Sequence, residues 1–249
     1  MLRFFSKLRY HVLSKNKSRK YLTYAFGEII LVMIGILLAL QVNNWNVERT
    51  DKKRETKYLA NIVLDLKKDI ARLDFLIEFR KARVIGDQKL IDHINGSPIN
   101  SVAEIATNVS NTLMEDNFSP NNTTFLELSN SGNLNLLSNE TIKVLLLELE
   151  ELYKINNLNI AHETFDYREY ISKPVLKYVN IDQIFPVFLG EKTVEQQNIT
   201  LGSFKGLFES REYKNGLYLM TVMSTGFITA YENIKMKSKK IIELIKNQK

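Results

Sequence analysis

The sequence predicts an all-α protein in which an N-terminal transmembrane helix continues into an elongated antiparallel helical bundle. Three observations predict this class. A run of about 21 mostly apolar residues follows a basic N-terminus. Beyond it, apolar residues recur at spacings of three and four. The later segments are bounded by helix-capping residues, Gly and Pro. With 249 residues, the chain is long enough to bury a core.

The apolar run over residues 22–42 has the length of one membrane span. As a helix rising ~1.5 Å per residue it covers roughly 31 Å, the thickness of one hydrocarbon core. Tyr24 and Trp45 lie near its two ends, where aromatic side chains settle at membrane interfaces. A cleaved signal peptide is the alternative, but Ala39-Leu40-Gln41 is a poor cleavage site. We therefore expect a retained signal anchor, with residues 22–43 crossing the membrane once.

Positive charge is concentrated before this run. Of the 34 Lys and Arg residues, seven fall in the first twenty positions without any acid, so the net charge of +6 describes a basic tail over residues 1–21. This bias favours an inner-membrane protein with a cytoplasmic N-terminus and a periplasmic body over residues 44–249. Because that body is close to neutral, we expect no nucleic-acid partner.

Two interpretations of the basic tail stay open. Its apolar residues Leu2, Phe5, Leu8 and Val12 fall near helical spacing among the cations. That pattern suits a short helix lying on the anionic inner leaflet of the membrane. The alternative is a disordered tail that only sets the topology of the protein.

The first helix is expected to extend far beyond the apolar run. No Gly or Pro occurs between Gly35 and Gly86, and the helix should continue to about Ile94, where an Asn-Gly-Ser-Pro sequence breaks it. An amphipathic stripe on this helix must be covered by partner helices. The stripe consists of Leu59, Ile62, Leu66, Ile70, Leu73 and Ile77.

Three shorter signals mark the next helix starts. Ser101-x-x-Glu104 and Thr124-x-x-Glu127 have the capping-box pattern, and Ser138 is the expected N-cap of the helix that follows.

Two long helices complete the predicted bundle. The first runs from Ser138 to about Ser172, ahead of Pro174, and the last from about Lys214 to Lys246. Between them, residues 180–202 lack a clear period and are expected to form a long connection open to a partner. Stripes of this kind pack side by side in helical bundles and coiled coils.

Two separated stretches carry a family resemblance: YLTYAFGEIILVMIGILLALQVNNWN at residues 21–46 and TTFLELSNSGNLNLLSNETI at residues 123–142. They resemble a bacterial family of single-span membrane proteins, domain of unknown function 6090. The resemblance implies a membrane-anchored helical protein and carries no activity, ligand or catalytic residue. The positions of its pattern are occupied here by Gly27, Glu28, Gly35, Asn44, Trp45, Glu127, Ser131, Gly132 and Leu134.

Glu28, Gly35 and Ala39 predict a packing face on the membrane helix. Residues seven apart lie about 20° apart around a helix, so Glu28 and Gly35 share a face. Gly35-x-x-x-Ala39 has the spacing of small residues that lets another helix approach closely. Two outcomes stay open for Glu28. It is buried between associated helices, or its side chain extends to the interface beside the basic tail.

Glu127, Ser131, Gly132 and Asn133 form a possible corner motif. Glu127 would complete the capping box of Thr124, and Gly132 would adopt the left-handed conformation that ends a helix. On this reading the motif fixes a tight turn between two helices. The alternative is a small polar ligand pocket at the corner, formed by Ser and Asn side chains and free backbone amides.

Known catalytic and nucleotide-binding motifs are missing from the sequence. It has no P-loop, no dinucleotide fingerprint, no zinc-protease motif, no Cys, and three widely separated His residues. We therefore expect no catalytic residues, no cofactor, no metal and no enzyme activity. The sequence favours a sensor or protein-interaction module at the cell envelope, with a protein partner or a homo-oligomer in addition to the membrane. A passive envelope scaffold and an oligomeric membrane assembly using Glu28 are the alternatives.

Overall fold

The computed structural model describes residues 18–98 and 101–248, with side chains from residue 22 onward. Both interpretations of the basic tail concern residues outside this range, apart from its last residues. The chain divides into two units, Met1–Lys57 and Tyr58–Lys249.

Every regular element in the described ranges is helical, which confirms the all-α class. The α-helices are α1 (Ser18–Ile94), α2 (Val102–Thr112), α3 (Thr123–Asn130), α4 (Glu140–Tyr167), α5 (Lys173–Tyr178), α6 (Ile181–Phe188), α7 (Lys205–Phe208) and α8 (Arg211–Asn247). Short 3₁₀ turns cover Asn133–Leu136 and Leu201–Phe204, and a π-helical turn covers Arg168–Ser172.

The first unit contains the apolar run at the start of α1. Its large side chains are exposed along the whole run. Leu22 at its start is 66% exposed, and Trp45 just beyond its end is 61% exposed. The apolar window has a mean hydropathy of 2.3 and no buried residue. By length and composition, this helix of the described chain is able to cross a membrane. A helix that is apolar all round and uncovered by protein is stable in lipid rather than in water.

The second unit folds as four legs that run alternately up and down. The first leg is α1 from Tyr58 to Ile94. The second leg consists of α2, the segment 113–122 and α3, and it returns along α1: Lys89 pairs with Glu104 at 2.5 Å, and further back Asp69 accepts from the backbone N–H of Asn121 at 2.9 Å. This leg is therefore antiparallel to α1 although only parts of it are helical.

The third and fourth legs are α4 and α8. Because Tyr153 donates to Asp69 and Glu163 pairs with Arg80, α4 runs in the same direction as α1. In α8 the order is reversed, since Lys214 donates to Asn95 near the end of α1 and Lys235 pairs with Asp74 further back. The fourth leg is thus antiparallel to the first and third.

Two clusters of buried apolar side chains hold the four legs together. The first cluster lies among residues 59–77 of α1, Phe118, Phe125 and Leu128 of the second leg, Leu137 after the corner, 142–153 of α4 and 227–245 of α8. The second joins Leu90 and Ile91 of α1 to α2, α5, α7 and the beginning of α8. The predicted stripe on α1 is buried at five of its six positions, whereas Ile70 is only half-buried because Asp69 occupies the seam beside it.

The predicted helix starts are confirmed in part. Ser101 is the N-cap of α2 and accepts from the backbone N–H of Glu104 at 3.3 Å. The capping box at Thr124 is wrong: α3 begins at Thr123, and Thr124 instead donates to Asp65 of α1 at 2.5 Å. Ser138 is not the N-cap of α4, because the side chain of Asn139 accepts from the N–H of Ile142 at 3.1 Å. Tertiary contacts and a better neighbouring cap decided these two cases.

The third leg ends differently from the prediction. Helix α4 stops at Tyr167 and passes through the π-helical turn directly into α5, which contains Pro174. Proline has no N–H for the carbonyl four residues earlier, that of Tyr170. This carbonyl lies against Gly216 of α8, where an added Cβ would be 2.5 Å from the carbonyl oxygen. Gly216 therefore allows a close approach of the two backbones.

The long connection expected over residues 180–202 is wrong for its first part. Residues 181–188 form α6, which packs against α2 and buries Ile184. Further along, Ile199 is also buried in the second cluster. Pro186 led the prediction away from a helix, but apolar packing on α2 outweighs the single backbone hydrogen bond that a proline removes.

The change Gly216→Ala should destabilise the protein by about 1–3 kcal/mol, because the new methyl group collides with the Tyr170 carbonyl. Gly226→Ala on the same helix is the matched control. Nothing lies within 4 Å of its added Cβ, so it should be neutral or stabilise by up to about 1 kcal/mol. Denaturant unfolding of the two variants measures the difference, and equal effects would contradict the close contact.

Candidate functional site

Buried polar side chains separate the two apolar clusters of the second unit. They are at most 6% exposed and occupy seam positions on three legs. Charged side chains this deep in a protein are rare unless they are paired. We refer to them as the polar layer, which consists of Arg80, Arg83 and Asp87 on α1, Asn156 and Glu163 on α4, and Ser224 on α8.

Arg80 and Glu163 form a bidentate ion pair at the centre of the polar layer. One Nη of Arg80 donates to Glu163 Oε1, and the other donates to Oε2 at 2.8 Å. The second Nη also donates to Asn117 Oδ1 at 2.7 Å, and the guanidinium carbon lies 4.4 Å from the ring centroid of Phe227. Burial lowers the pKa of Arg80, but the hydrogen bond to Glu163 contributes to a net rise. Arg80 therefore stays cationic.

Arg83 and Asp87 form a looser pair one turn further along α1. Their Nε and Oδ2 atoms are 3.8 Å apart, and the two side chains are 5% and 2% exposed. The guanidinium of Arg83 also donates to the carbonyl oxygens of Met114 at 3.2 Å and Thr112 at 3.5 Å. Burial raises the pKa of Asp87 to about 7, although Arg83 acts to lower it.

Groups from three other segments face this looser pair. Tyr213 of α8 is fully buried, and its pKa is raised by burial and by the Asp87 carboxylate, while Thr112 and Arg83 lower it. Tyr167 of α4 donates to the carbonyl of Leu113 and lies 5.9 Å from the Arg83 guanidinium. On the second leg, Glu115 is exposed as a residue, but the partial burial of its carboxyl group raises its pKa, and Glu163 raises it further. Protonation of Asp87 therefore changes the charge balance where all four legs meet.

The corner motif lies at the turn between the second and third legs. Gly132 has φ of 71°, which is the left-handed conformation that the sequence predicted. Asn133 donates to Ser131 Oγ at 2.6 Å, while Glu127 accepts from the hydroxyl of Tyr58 on α1 at 3.1 Å. The bond between Asn133 and Ser131 braces the corner itself, and the bond from Tyr58 docks it on α1. The alternative of a ligand pocket at this corner stays a prediction.

The predicted membrane-helix face lies in the first unit. Glu28, Gly35 and Ala39 are all exposed there, and a Cβ added at Gly35 would meet nothing within 4 Å. Ala25, Glu28, Ile29 and Val32 line a shallow groove on the same helix. The face is open to another helix, and its role stays a prediction.

Among the described residues, no group of three or more His, Asp or Glu side chains is placed to hold a metal ion. His93 packs edge-on against the ring of Phe208 at 4.9 Å, and His162 is exposed on α4. His11 lies outside the described residues.

A family model matches residues 28–182, which is more than half of the chain, and its description is family of unknown function, DUF6090. The chain belongs to DUF6090. The match confirms the family resemblance of the two sequence stretches. No curated protein and no solved structure matches the chain.

The DUF6090 match includes the polar-layer residues of α1 and α4, whereas α8 lies beyond it. Sequence reasoning missed this layer because it followed apolar residues only. The signal was present in the spacing: Asp69, Arg80, Arg83 and Asp87 continue the interval of three and four residues set by Leu66 and Leu73. Charged residues at seam positions are therefore the pattern that could have revealed it.

The stability of this DUF6090 protein should depend on the charge of Asp87. Its pKa is about 7 in the folded state and ordinarily near 3.8, so the folded protein binds the proton more tightly than the unfolded chain. The ionised form is therefore disfavoured in the fold, and this penalty grows as the pH rises from about 4 to about 7 and is constant above. Asp87→Asn removes it.

The unfolding free energy of Asp87→Asn, taken relative to that of the natural protein, should thus rise by about 3–5 kcal/mol between pH 4 and pH 8. Denaturant unfolding of both proteins at each pH measures it. Asp92→Asn, at an exposed carboxylate on the same helix, is the control and should show no such trend. A difference between the two proteins that stays constant across this pH range would contradict a buried, desolvated Asp87.

The Arg80–Glu163 pair should show strong coupling in a double-mutant cycle. Glu163→Leu alone leaves a buried cation without its counter-ion and should cost about 3–5 kcal/mol, whereas Arg80→Met combined with Glu163→Leu should recover most of this loss. The exposed pair of Lys154 and Glu151 is the control, because Glu151→Leu should leave the stability nearly unchanged. The unfolding midpoints of the single and double variants measure this coupling. If the effects of the two single changes simply add in the double variant, the buried pair is excluded.

Proposed function

We propose that this DUF6090 protein is a membrane-anchored, non-enzymatic sensor or protein-interaction module at the cell envelope. The exposed apolar run at the start of α1 supports the anchor. The buried charged groups Arg80 and Glu163, and likewise Arg83 and Asp87, pair with each other inside the packed legs of the second unit, which supports a role in controlling structure rather than in turning over a substrate.

One observation carries the sensing role: the Arg83–Asp87 pair lies buried where the legs meet. A buried charge pair is less stable than apolar packing of the same volume, and removing one of its charges leaves the other uncompensated. Protonation of Asp87 near neutral pH is such a change. A local change of charge that repacks adjacent helices is an established form of protein switch. A passive scaffold, the first alternative, has no need of such a pair.

The proposal places residues 1–21 in the cytoplasm and the second unit in the periplasm. The natural chain has no Cys, so single introduced cysteines report their own side of the membrane. A membrane-impermeant maleimide added to intact spheroplasts should label Lys192→Cys, an exposed position after α6, and should not label Ser6→Cys. Labelling of Ser6→Cys with protection of Lys192→Cys would show that the topology is the opposite of the proposed one.

The interaction role is tested by photo-crosslinking in the native membrane. A photoreactive residue at exposed positions of α1, α4 and α8 should give discrete crosslinked adducts. A substantial fraction of the protein molecules should form them. Their yield should change between pH 6 and pH 8 in the natural protein and lose this dependence in Asp87→Asn. Adducts without pH dependence would support the passive scaffold, and a lack of adducts from all three helices would refute the interaction role.

The second candidate function is an oligomeric membrane assembly through Glu28, Gly35 and Ala39. The open surface at Gly35 favours it, because a second helix can approach a residue that lacks a side chain. Replacing both Gly35 and Ala39 with Ile should weaken self-association in a membrane two-hybrid assay and leave insertion intact. If this change and Glu28→Gln both leave association untouched, the membrane helix is an anchor alone.

A further inference from the structure

Three cations lie on α1 directly beyond the apolar run of the first unit. Arg49, Lys52 and Lys53 follow Val42, the last residue of the run, by seven to eleven positions. Residues three and four apart are neighbours on a helix surface, so Lys52 and Lys53 lie one turn after Arg49 on the same side. All three residues are exposed. We refer to them as the cation triad.

The acids of the same turns lie on a different side of the helix. Glu48, Asp51 and Glu55 are also three and four positions apart, so they share a face of their own. With 3.6 residues per turn, this face is about 120° from the cation triad around the helix axis. Arg54 pairs with Asp51 at 3.4 Å, whereas the cation triad makes no ion pair within the described part of the chain. The charges of this segment are therefore segregated.

In a chain anchored by the apolar run, Trp45 marks the level of the lipid headgroups. It is the single Trp of the sequence, lies three positions after the run and is 61% exposed. Trp side chains settle at the interface between lipid and water. The guanidinium carbon of Arg49 lies 6.0 Å from the centroid of the Trp45 ring, because side chains on a helix lean toward its N-terminus. Arg49 therefore reaches headgroup level.

The two lysines of the cation triad lie close to the same level. They are one helical turn beyond Arg49, a rise of about 5 Å along the axis. This distance is within one Debye length at physiological salt, about 8 Å, so an anionic membrane surface attracts them.

The cation triad works against the proposed topology. Lys and Arg close to a membrane span favour the cytoplasmic side, so cations that follow the apolar run oppose a periplasmic second unit. The seven cations of the basic tail outnumber the five at residues 49–57 by two. Cations that oppose insertion, yet are exposed, segregated from the acids and without a carboxylate partner in the described chain, indicate a ligand of opposite charge.

We propose that the cation triad binds the phosphate headgroups of anionic phospholipids in the leaflet at this end of the apolar run. The guanidinium of Arg49 has the planar fork that binds two phosphate oxygens at once, whereas Lys52 and Lys53 act as point charges. Bound headgroups hold α1 at a fixed depth in the membrane. This inference rests on the proposed membrane anchor and names the ligand class at its outer end.

The test measures the fluorescence of Trp45 in the full chain. Two sets of nanodiscs contain the same equal mixture of phosphatidylglycerol and phosphatidylcholine, and they differ only in which lipid carries bromine on its acyl chains near the headgroup. Bromine quenches Trp at short range, so the signal reports the leaflet at Trp45 and not the leaflet at the basic tail. Brominated phosphatidylglycerol should quench about twofold more than brominated phosphatidylcholine, and added salt should reduce this excess.

Paired substitutions locate the binding site. Lys52→Gln combined with Lys53→Gln should remove most of the excess quenching by phosphatidylglycerol. Lys67→Gln combined with Lys68→Gln is the matched control, because it removes the same charge from two exposed lysines fifteen positions further along α1. The control should keep the full excess. Since all four lysines are exposed, both variants should unfold at the temperature of the natural chain.

The possible failures are distinguishable. Equal quenching by the two brominated lipids would reject the headgroup site and leave the anchor intact. An excess that the control lowers as much as the Lys52 and Lys53 changes would show a response to net charge alone, which also rejects the site. A lack of quenching by either lipid would place Trp45 outside the bilayer and refute the anchor itself.

An acidic protein partner is the competing ligand. A photoreactive residue in place of Lys53 tests it in the native membrane. Discrete protein adducts from this position, together with equal quenching by the two lipids in nanodiscs, would assign the cation triad to such a partner and overturn the lipid site.

Discussion

The ion pair of Arg80 and Glu163 is the constraint on which the arrangement of the second unit depends. Its guanidinium reaches all four legs: Arg80 belongs to α1, Asn117 to the returning segment, Glu163 to α4 and Phe227 to α8. A shift of one leg by a single helical turn would leave a charge buried without its partner, at a cost of several kcal/mol. Apolar packing alone tolerates such slippage, so the pair fixes the register of the legs.

A second set of carboxylates explains how the returning leg is held although much of it is not helical. Asp69 accepts from both the backbone and the side chain of Asn121, and from the hydroxyl of Tyr153. Asp65 accepts from Thr124 at the start of α3. An irregular segment needs partners for its backbone groups, and carboxylates on the neighbouring helix supply them. The polar residues of α1 thus position the corner motif.

The features predicted correctly from the sequence are those that local chemistry decides. The end of α1 before Gly96, the cap at Ser101 and the left-handed Gly132 each depend on a few neighbouring residues. Thr124 was misread because its hydroxyl has a stronger partner in a distant helix. The π-helical turn was missed because it lies where Pro174 leaves the Tyr170 carbonyl free to approach Gly216 of another leg. The spacing of the charged residues on α1 could have revealed the polar layer, but no local pattern states which charges meet, because Arg80 and Glu163 are far apart in the chain.

The same reasoning separates two kinds of apolar residue in this sequence. Apolar residues such as Leu149 are accounted for by the core that they form. Apolar residues of the membrane run are not, because the chain leaves Leu38 uncovered at 61%. This run is long enough for lipid to be the missing environment.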